Sequence, residues 1–128
     1  MAEENKKSIM IVEDDSFVVD IYRKKLQEEG FSISESPDGK DAWEKLQDKN
    51  ARPDLLLLDI IMPQMNGLDL LKKIKADEEL KKIPVILLTN MSQKEDIDMG
   101  LGLGANDYLI KSHFTPGEVL SKIKGILG

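Results

Sequence analysis

The chain has 128 residues, enough for one domain that buries roughly two-thirds of its unfolded surface. Its 18 basic and 24 acidic residues give a net charge of -6, so we expect no direct contact with nucleic acid. The absence of cysteine excludes disulfides, thiolate metal sites and cysteine nucleophiles. No apolar stretch approaches the ~18 residues of a membrane span. The polar start, MAEENKKS, is unlike a signal peptide, which predicts a cytoplasmic protein without membrane insertion.

Strand and helix patterns alternate along the chain, after a first segment, residues 1–7, that is polar and predicted to be flexible. Residues 8–128 then form one predicted domain. The predicted strands are residues 8–12, 31–35, 55–58, 84–88 and 106–110. The predicted helices are residues 16–30, 38 to near 50, 68 to about 75, 92–103 and 115–127. Five such units favour an α/β fold in which helices cover both faces of a parallel sheet, a doubly wound arrangement.

The first and fourth predicted helices differ in the regularity of their patterns. The apolar stripe predicted for the first helix is Phe17, Val18, Ile21, Tyr22 and Leu26, with Asp15 or Ser16 as its cap. The fourth helix contains Gly100 and Gly102 and is followed by Gly104. Each interior glycine weakens a helix by about 1 kcal/mol relative to alanine, so we expect this helix to be mobile.

The most informative segment is residues 53–67, PDLLLLDIIMPQMNG. Four consecutive leucines without alternation indicate a central strand buried on both faces. The run ends at Asp59, and Pro63 and Gly67 then indicate a tight loop that leads into a helix. Ligands of open α/β sheets bind at the carboxyl ends of the strands, which makes Asp59 a candidate functional residue. On its own, the aspartate also fits an ordinary turn.

Polar residues follow the other strands of the predicted sheet as well. Glu13 and Asp14 follow the first strand, Thr89 ends the fourth and Lys111 follows the fifth. Clustered carboxylates repel one another unless a cation offsets their charge, and Mg²⁺ suits Asp14, Asp59 and a loop carbonyl. Lys111 could pair with Asp59 or with a phosphoryl oxygen, and Thr89 adds a hydroxyl donor. Together these residues favour phosphoryl transfer to Asp59.

These motifs, in this order, resemble a bacterial two-component response-regulator receiver domain of the chemotaxis-regulator type. The resemblance extends from Ser8 to Leu127 and includes IVEDD, LLLLDIIMPQMNG, LLTN, and GANDYL with the lysine that follows. It implies a flavodoxin-like (βα)5 fold with strand order 2-1-3-4-5. It also implies a signalling switch that is not an enzyme, but a phosphoacceptor that assists its own phosphorylation and dephosphorylation. A sensor histidine kinase or a histidine phosphotransfer protein would donate the phosphoryl group, and an unknown downstream protein would bind the switched form.

The resemblance further implies a role for each site residue. Mg²⁺ would be bound by Glu13, Asp14, Asp59 and the main-chain carbonyl of Ile61. Asp59 would be the phosphoacceptor, and Lys111 and Thr89 would contact the phosphoryl group. Tyr108 would turn inward when Thr89 is drawn towards the phosphate.

Ser112 departs from the family pattern, which usually has a proline after the active-site lysine in a cis bond. A cis bond to a non-proline residue costs about 2.5 to 4 kcal/mol, so we predict a trans bond between Lys111 and Ser112 and a rearranged loop after it. The placement of Lys111 is left open by this change. Ile61 and Met91 flank the predicted site, and we expect them to shield the acyl phosphate from water and to lengthen its lifetime.

Three other functions fit parts of the pattern. A pseudo-receiver adaptor, which binds partners without phosphorylation, is the main alternative, and Ser112 is its only support. A Mg²⁺-dependent phosphohydrolase would place a second acid two residues after its nucleophile, where this chain has Ile61. A flavin-binding domain needs a phosphate loop after the first strand, where Glu13, Asp14 and Asp15 would repel a phosphate.

Overall fold

The computed structural model describes residues 6–128, so residues 1–5 of the segment predicted to be flexible lie outside the described residues. Lys6 and Lys7 are exposed and belong to no helix or strand. The strands are β1 (Ser8–Val12), β2 (Ser32–Ser36), β3 (Leu55–Leu58), β4 (Val85–Thr89) and β5 (Asp107–Ile110). The helices are α1 (Ser16–Glu28), α2 (Gly39–Leu46), α3 (Gly67–Ala76), α4 (Lys94–Gly102) and α5 (Pro116–Leu127).

All five strands form one parallel sheet in the order β2-β1-β3-β4-β5, which confirms the predicted fold class and strand order. Successive side chains of β1 enter the two apolar clusters on opposite faces of the sheet. Met10 and Val12 pack with residues of α2 and α3, whereas Ile9 and Ile11 pack with residues of α1 and α5. The four leucines of β3 are all buried, as expected for a strand covered by helices on both faces.

The predicted inward stripe of α1 is partly wrong. Phe17 is 72% exposed and Ile21 is 40% exposed. Asp15 is the cap, because its carboxylate accepts a hydrogen bond from the main-chain N–H of Phe17 at 3.0 Å, and Ser16 is the first helical residue. At about 100° of rotation per residue, Phe17 and Ile21 each lie on the opposite side of the helix from Val19, which is buried. The buried residues of α1 are Val19, Tyr22 and Leu26.

Other predicted boundaries differ by a few residues. Helix α2 ends at Leu46 rather than near residue 50, because Asp48 forms a turn in which its carboxylate accepts from the N–H of Asn50 at 3.0 Å. Helix α4 begins at Lys94 rather than at residue 92. Helix α5 begins at Pro116, one residue later than predicted, because Thr115 is its cap.

Helix α4 meets the sheet through a glycine. Gly100 is buried, and a Cβ atom at this position would lie 2.5 Å from Cδ1 of Leu87 and 3.0 Å from Cδ2 of Tyr108. Gly102 is the last residue of the helix, and a Cβ atom at this position would meet nothing within 4 Å. The glycine that weakens the helix in isolation therefore permits its close packing in the fold. The mobility of α4 stays a prediction.

Candidate functional site

Three predicted site residues are buried at the carboxyl edge of the sheet. Glu13 follows β1, Asp59 follows β3 and Thr89 ends β4, and their exposed fractions are 5%, 6% and 0%. Within residues 6–128, Ser36 is the only other polar residue that is buried to this degree. Buried acids are uncommon in folded proteins unless they are paired, so this edge needs a compensating positive charge.

Lys111 supplies that charge. Its Nζ lies 2.5 Å from Oε1 of Glu13 and donates a hydrogen bond to Oδ2 of Asp59 at 3.1 Å. Burial acts to lower the pKa of Lys111, but the hydrogen bond to Glu13 and the charge of Asp59 outweigh it, and the pKa is raised. The lysine is therefore a protonated donor to both carboxylates. The contact of Lys111 with Asp59 was predicted from the sequence, but its contact with Glu13 was not.

The bond after Lys111 is trans, as predicted, since residues 6–128 contain no cis peptide bond. A short 3-10 turn, Lys111–His113, follows β5 directly. The substitution of serine for the usual proline therefore does not keep Lys111 away from Asp59.

The carboxyl group of Glu13 has a perturbed pKa. Burial raises the pKa of Glu13 to about 7, and the nearby charge of Asp59 adds to this effect. The hydrogen bonds from Lys111 and from the main-chain N–H of Asp15, at 3.1 Å to Oε2, oppose it. The Asp15 residue thus serves two purposes, since its side chain caps α1 while its N–H orients Glu13.

The acidic residues form a cluster with the character of a cation site. Glu13, Asp14 and Asp59 each offer a carboxylate oxygen, and these oxygens lie within 4.8 Å of one another. Asp14 is exposed, so one side of the cluster faces solvent. Mg²⁺ favours oxygen ligands, is commonly held by one or two carboxylates and retains several waters, so the donor set fits this ion. Ile61, the predicted carbonyl ligand, lies two residues beyond Asp59, and the residue is 62% exposed.

Asp59 is oriented by the backbone around it. Its Oδ1 accepts a hydrogen bond from the N–H of Ile60 at 2.7 Å, while Lys111 occupies Oδ2. The N–H of Gly67 donates to the carbonyl of Ile60 at 2.8 Å. A Cβ atom on Gly67 would lie 2.0 Å from the carbonyl oxygen of Asp59. From the sequence, Gly67 was predicted only to end a tight loop, because no local pattern indicates its contact with the backbone of Asp59.

Thr89 and Tyr108 both contact the loop between β4 and α4. The hydroxyl of Thr89 accepts a hydrogen bond from the N–H of Met91 at 3.4 Å. The hydroxyl of Tyr108 donates to the carbonyl of Met91 at 2.7 Å, and the ring lies inward with 9% of the residue exposed. Met91 therefore connects the two residues that were predicted to form a switch.

The fold and the site together define a class of protein, a doubly wound α/β domain with an acidic cluster and a lysine at the carboxyl edge of its sheet. The family model described as response regulator receiver domain matches residues 9–124. The chain therefore belongs to the response regulator receiver family, whose members accept phosphoryl groups in two-component signalling.

Individual relatives agree with this assignment. Chemotaxis protein CheY1 of Helicobacter pylori is 39% identical over 121 residues, which are 94% of this chain and 96% of that protein. A putative response regulator from Chloroflexus aurantiacus has a similar structure, with a TM-score of 0.88, 28% identity, and coverage of 96% of this chain and 98% of that one. The Mn(2+)-bound form of response regulator Rcp1 has a TM-score of 0.81 and 31% identity, and the match covers 94% of this chain and 91% of that one.

The helices that the structure describes are all too short or too polar to cross a lipid bilayer.

Proposed function

We propose that this protein is a phosphorylation-operated signalling switch, that its receiver domain spans residues 8–128, and that Asp59 is its phosphoacceptor. The observation that carries the proposal is the surroundings of Asp59. Its carboxylate is buried at the end of β3, lies 3.1 Å from the Nζ of Lys111 and belongs to a cluster of three acids within 4.8 Å. A turn aspartate needs none of these partners.

Mg²⁺ would be the metal of this site, and Glu13, Asp14, Asp59 and the carbonyl of Ile61 would hold it. Three carboxylates fit a hard cation, and the exposed side of Asp14 leaves room for water ligands. When bound, Mg²⁺ neutralises charge on the phosphoryl oxygens.

The transfer itself is carried out by residues of the chain and of the donor. A carboxylate oxygen of Asp59 forms a bond to phosphorus while the bond from phosphorus to the donor's histidine nitrogen breaks, and that nitrogen keeps the electron pair. Lys111 exchanges its hydrogen bond with Asp59 for one with a phosphoryl oxygen, and the Thr89 hydroxyl donates to another. Positioning and electrostatics account for most catalysis of phosphoryl transfer, which suits this small set of groups.

The conformational response passes through Met91. Because Thr89 and Tyr108 both bond to this residue, a movement of Thr89 towards the phosphoryl group changes the loop that the Tyr108 hydroxyl holds. The phosphoryl group on Asp59 thus shifts the equilibrium between two conformations of the loop that joins β4 to α4. A downstream protein binds the phosphorylated arrangement.

The phosphoryl donor is a sensor histidine kinase or a histidine phosphotransfer protein, and the protein works in the cytoplasm without contacting nucleic acid. The pseudo-receiver alternative rested on Ser112, and Lys111 contacts Asp59 at 3.1 Å despite that residue. No observation favours the adaptor over the switch.

Intact-mass spectrometry after incubation with acetyl phosphate and Mg²⁺ tests the proposal. We expect a gain of one phosphoryl group in the wild type and in Asp69→Asn, an exposed aspartate on α3 that serves as the matched control. Asp59→Asn and samples with a chelator should show no gain. A phosphoryl group that persists in Asp59→Asn, or its absence from the folded wild type, would contradict the proposal.

A further inference from the structure

The first residue of α2 contacts the loop that follows Asp59. The N–H of Gly39 donates a hydrogen bond to the carbonyl of Met65 at 3.0 Å. Met65 lies in the loop that joins β3 to α3, and Gly39 is buried beneath it. Helix α2 is therefore attached by its main chain to the segment that contains Ile61.

The contact leaves no room for a side chain at position 39. A Cβ atom on Gly39 would lie 2.3 Å from the carbonyl oxygen of Met65 and 2.9 Å from its Cβ. The 2.3 Å separation would have to grow to at least 3.0 Å before an alanine could be accepted. Because the nearest atom belongs to the backbone, this change has to move the loop or the start of α2.

The other end of the same loop is held just as closely. Gly67 bonds to Ile60 at 2.8 Å, and a Cβ atom on Gly67 would meet the carbonyl oxygen of Asp59 at 2.0 Å. Met65 is two residues from Gly67, so a displacement at Met65 reaches Asp59 through a short, tightly packed backbone.

Gln64 shows that the loop depends on external contacts. Its φ of 66° lies in the left-handed region, which residues other than glycine rarely adopt. Such a conformation persists only where the surrounding structure holds it. The hydrogen bond from Gly39 to Met65, the next residue, is one of the contacts that do so.

We propose that Gly39 is a positioning residue of the phosphoacceptor site, because its contact with Met65 sets the place of residues 60–66 relative to Asp14 and Asp59. The inference rests on the proposed function, in which the carbonyl of Ile61 is a metal ligand. Mg²⁺ demands near-ideal octahedral geometry, so a loop shift of several tenths of an ångström weakens its binding. Gly39 itself touches neither the metal nor the phosphoryl group.

The test compares Gly39→Ala with the wild type by calorimetric titration with Mg²⁺ alone and by the rate of phosphorylation from acetyl phosphate. We expect a Mg²⁺ dissociation constant about tenfold higher, as for other groups that orient metal ligands. At saturating Mg²⁺, phosphorylation should slow about tenfold or more, because misplacement by ~1 Å can cost 10²-fold in rate.

Gly104→Ala is the matched control for stability. Gly104 has a φ of +110°, which strains any L side chain, and it precedes β5 at the opposite edge of the sheet. The two variants should both lose stability in urea unfolding, but only Gly39→Ala should bind Mg²⁺ more weakly. A purely structural role for Gly39 predicts equal Mg²⁺ affinities in the two folded variants, and that result would overturn the proposal.

A second pair of variants decides the question if Gly39→Ala does not fold. The Asp38 carboxylate caps α2 by accepting from the N–H of Asp41 at 2.8 Å. Asp38→Ala frays the first turn and so loosens Gly39, whereas Asp38→Asn removes the same charge and keeps a cap. We expect Mg²⁺ binding about threefold weaker in Asp38→Ala than in Asp38→Asn, a smaller loss than a direct displacement causes.

Equal affinities in this pair would overturn the role of α2. A wild type that neither binds Mg²⁺ nor accepts a phosphoryl group would overturn the proposed function first, and the role of Gly39 with it. A wild type that does both, beside unaffected Gly39 and Asp38 variants, would overturn the positioning role alone.

Discussion

Lys111 and Mg²⁺ should compete for the same carboxylates, and the variant Lys111→Met tests this competition. In the structure the Nζ of Lys111 lies 2.5 Å from Glu13 and 3.1 Å from Asp59, two of the three acids of the proposed metal site. A bound cation must therefore displace the lysine from at least one of them. Without the lysine, metal binding no longer has to break these ion pairs, so the metal should bind more tightly.

The size of the effect follows from these distances. Two unit charges about 3 Å apart attract by roughly 5 kcal/mol at an effective dielectric constant of ~20, and desolvation offsets most of this attraction. A net cost of ~1.4 kcal/mol for displacing Lys111 corresponds to tenfold in affinity. We therefore expect the Mg²⁺ dissociation constant of Lys111→Met to fall about tenfold. Phosphorylation from acetyl phosphate should nevertheless become slower, because the phosphoryl group loses its lysine partner.

Calorimetric titration at constant ionic strength measures the affinity, and Lys94→Met is the matched control. Lys94 is a lysine of α4 whose side chain is 84% exposed, so its loss changes the net charge equally but leaves the site intact. If Lys111→Met binds Mg²⁺ no more tightly than Lys94→Met, the lysine and the metal do not compete, and the reasoning from the ion pairs is refuted.

Four further predictions concern stability, each measured by urea unfolding. Gly100→Ala should lower the free energy of unfolding by about 1 to 2 kcal/mol, because the clash 2.5 Å from Leu87 outweighs the gain in helix propensity. Gly102→Ala, whose Cβ meets nothing within 4 Å, should raise it by up to about 1 kcal/mol, and a loss equal to that of Gly100→Ala would contradict the packing argument. Gln64→Gly should stabilise the protein by up to about 1 kcal/mol by relieving the φ of 66°, and a marked loss would show that the Gln64 side chain contributes contacts. Because the pKa of Glu13 is about 7 in the folded state and 4.5 ordinarily, the folded state binds more protons between these values. In the absence of Mg²⁺, the stabilisation from Glu13 is full below pH 4.5 and is lost as the pH rises through about 7. Glu13→Gln should reduce the dependence of the free energy of unfolding on pH between about 4.5 and 7. An unchanged dependence would show that another group causes it.

The architecture could be predicted because its signals are local. The leucines of β3 are buried on both faces of the sheet, and a strand in that position consists of consecutive apolar residues. Once five strands are parallel, the topology alone brings Glu13, Asp59 and Thr89 to one edge. The acidic cluster thus followed from strand order rather than from any single motif.

The remaining features depend on distances between segments far apart in sequence. Phe17 and Ile21 fit the apolar period of a helix, but packing on the sheet buries Val19 with Tyr22 and Leu26, and residues two positions from Val19 then face solvent. The pairing of Lys111 with Glu13 joins the ends of β1 and β5, which are not neighbouring strands. No local pattern specifies such a contact.

Some glycines of this chain are needed for their backbone conformation and others for their missing volume, and these two groups differ in tolerance to substitution. Gly30 has a φ of +95° and nothing within 4 Å of its would-be Cβ, so asparagine, which accepts left-handed backbone, should replace it at little cost. Gly39, Gly67 and Gly100 have no left-handed φ, but each excludes even a methyl group. A mutational scan of this chain would therefore separate the two groups by a single comparison, because asparagine rescues a glycine that is needed for its backbone and cannot rescue one that is needed for its missing volume.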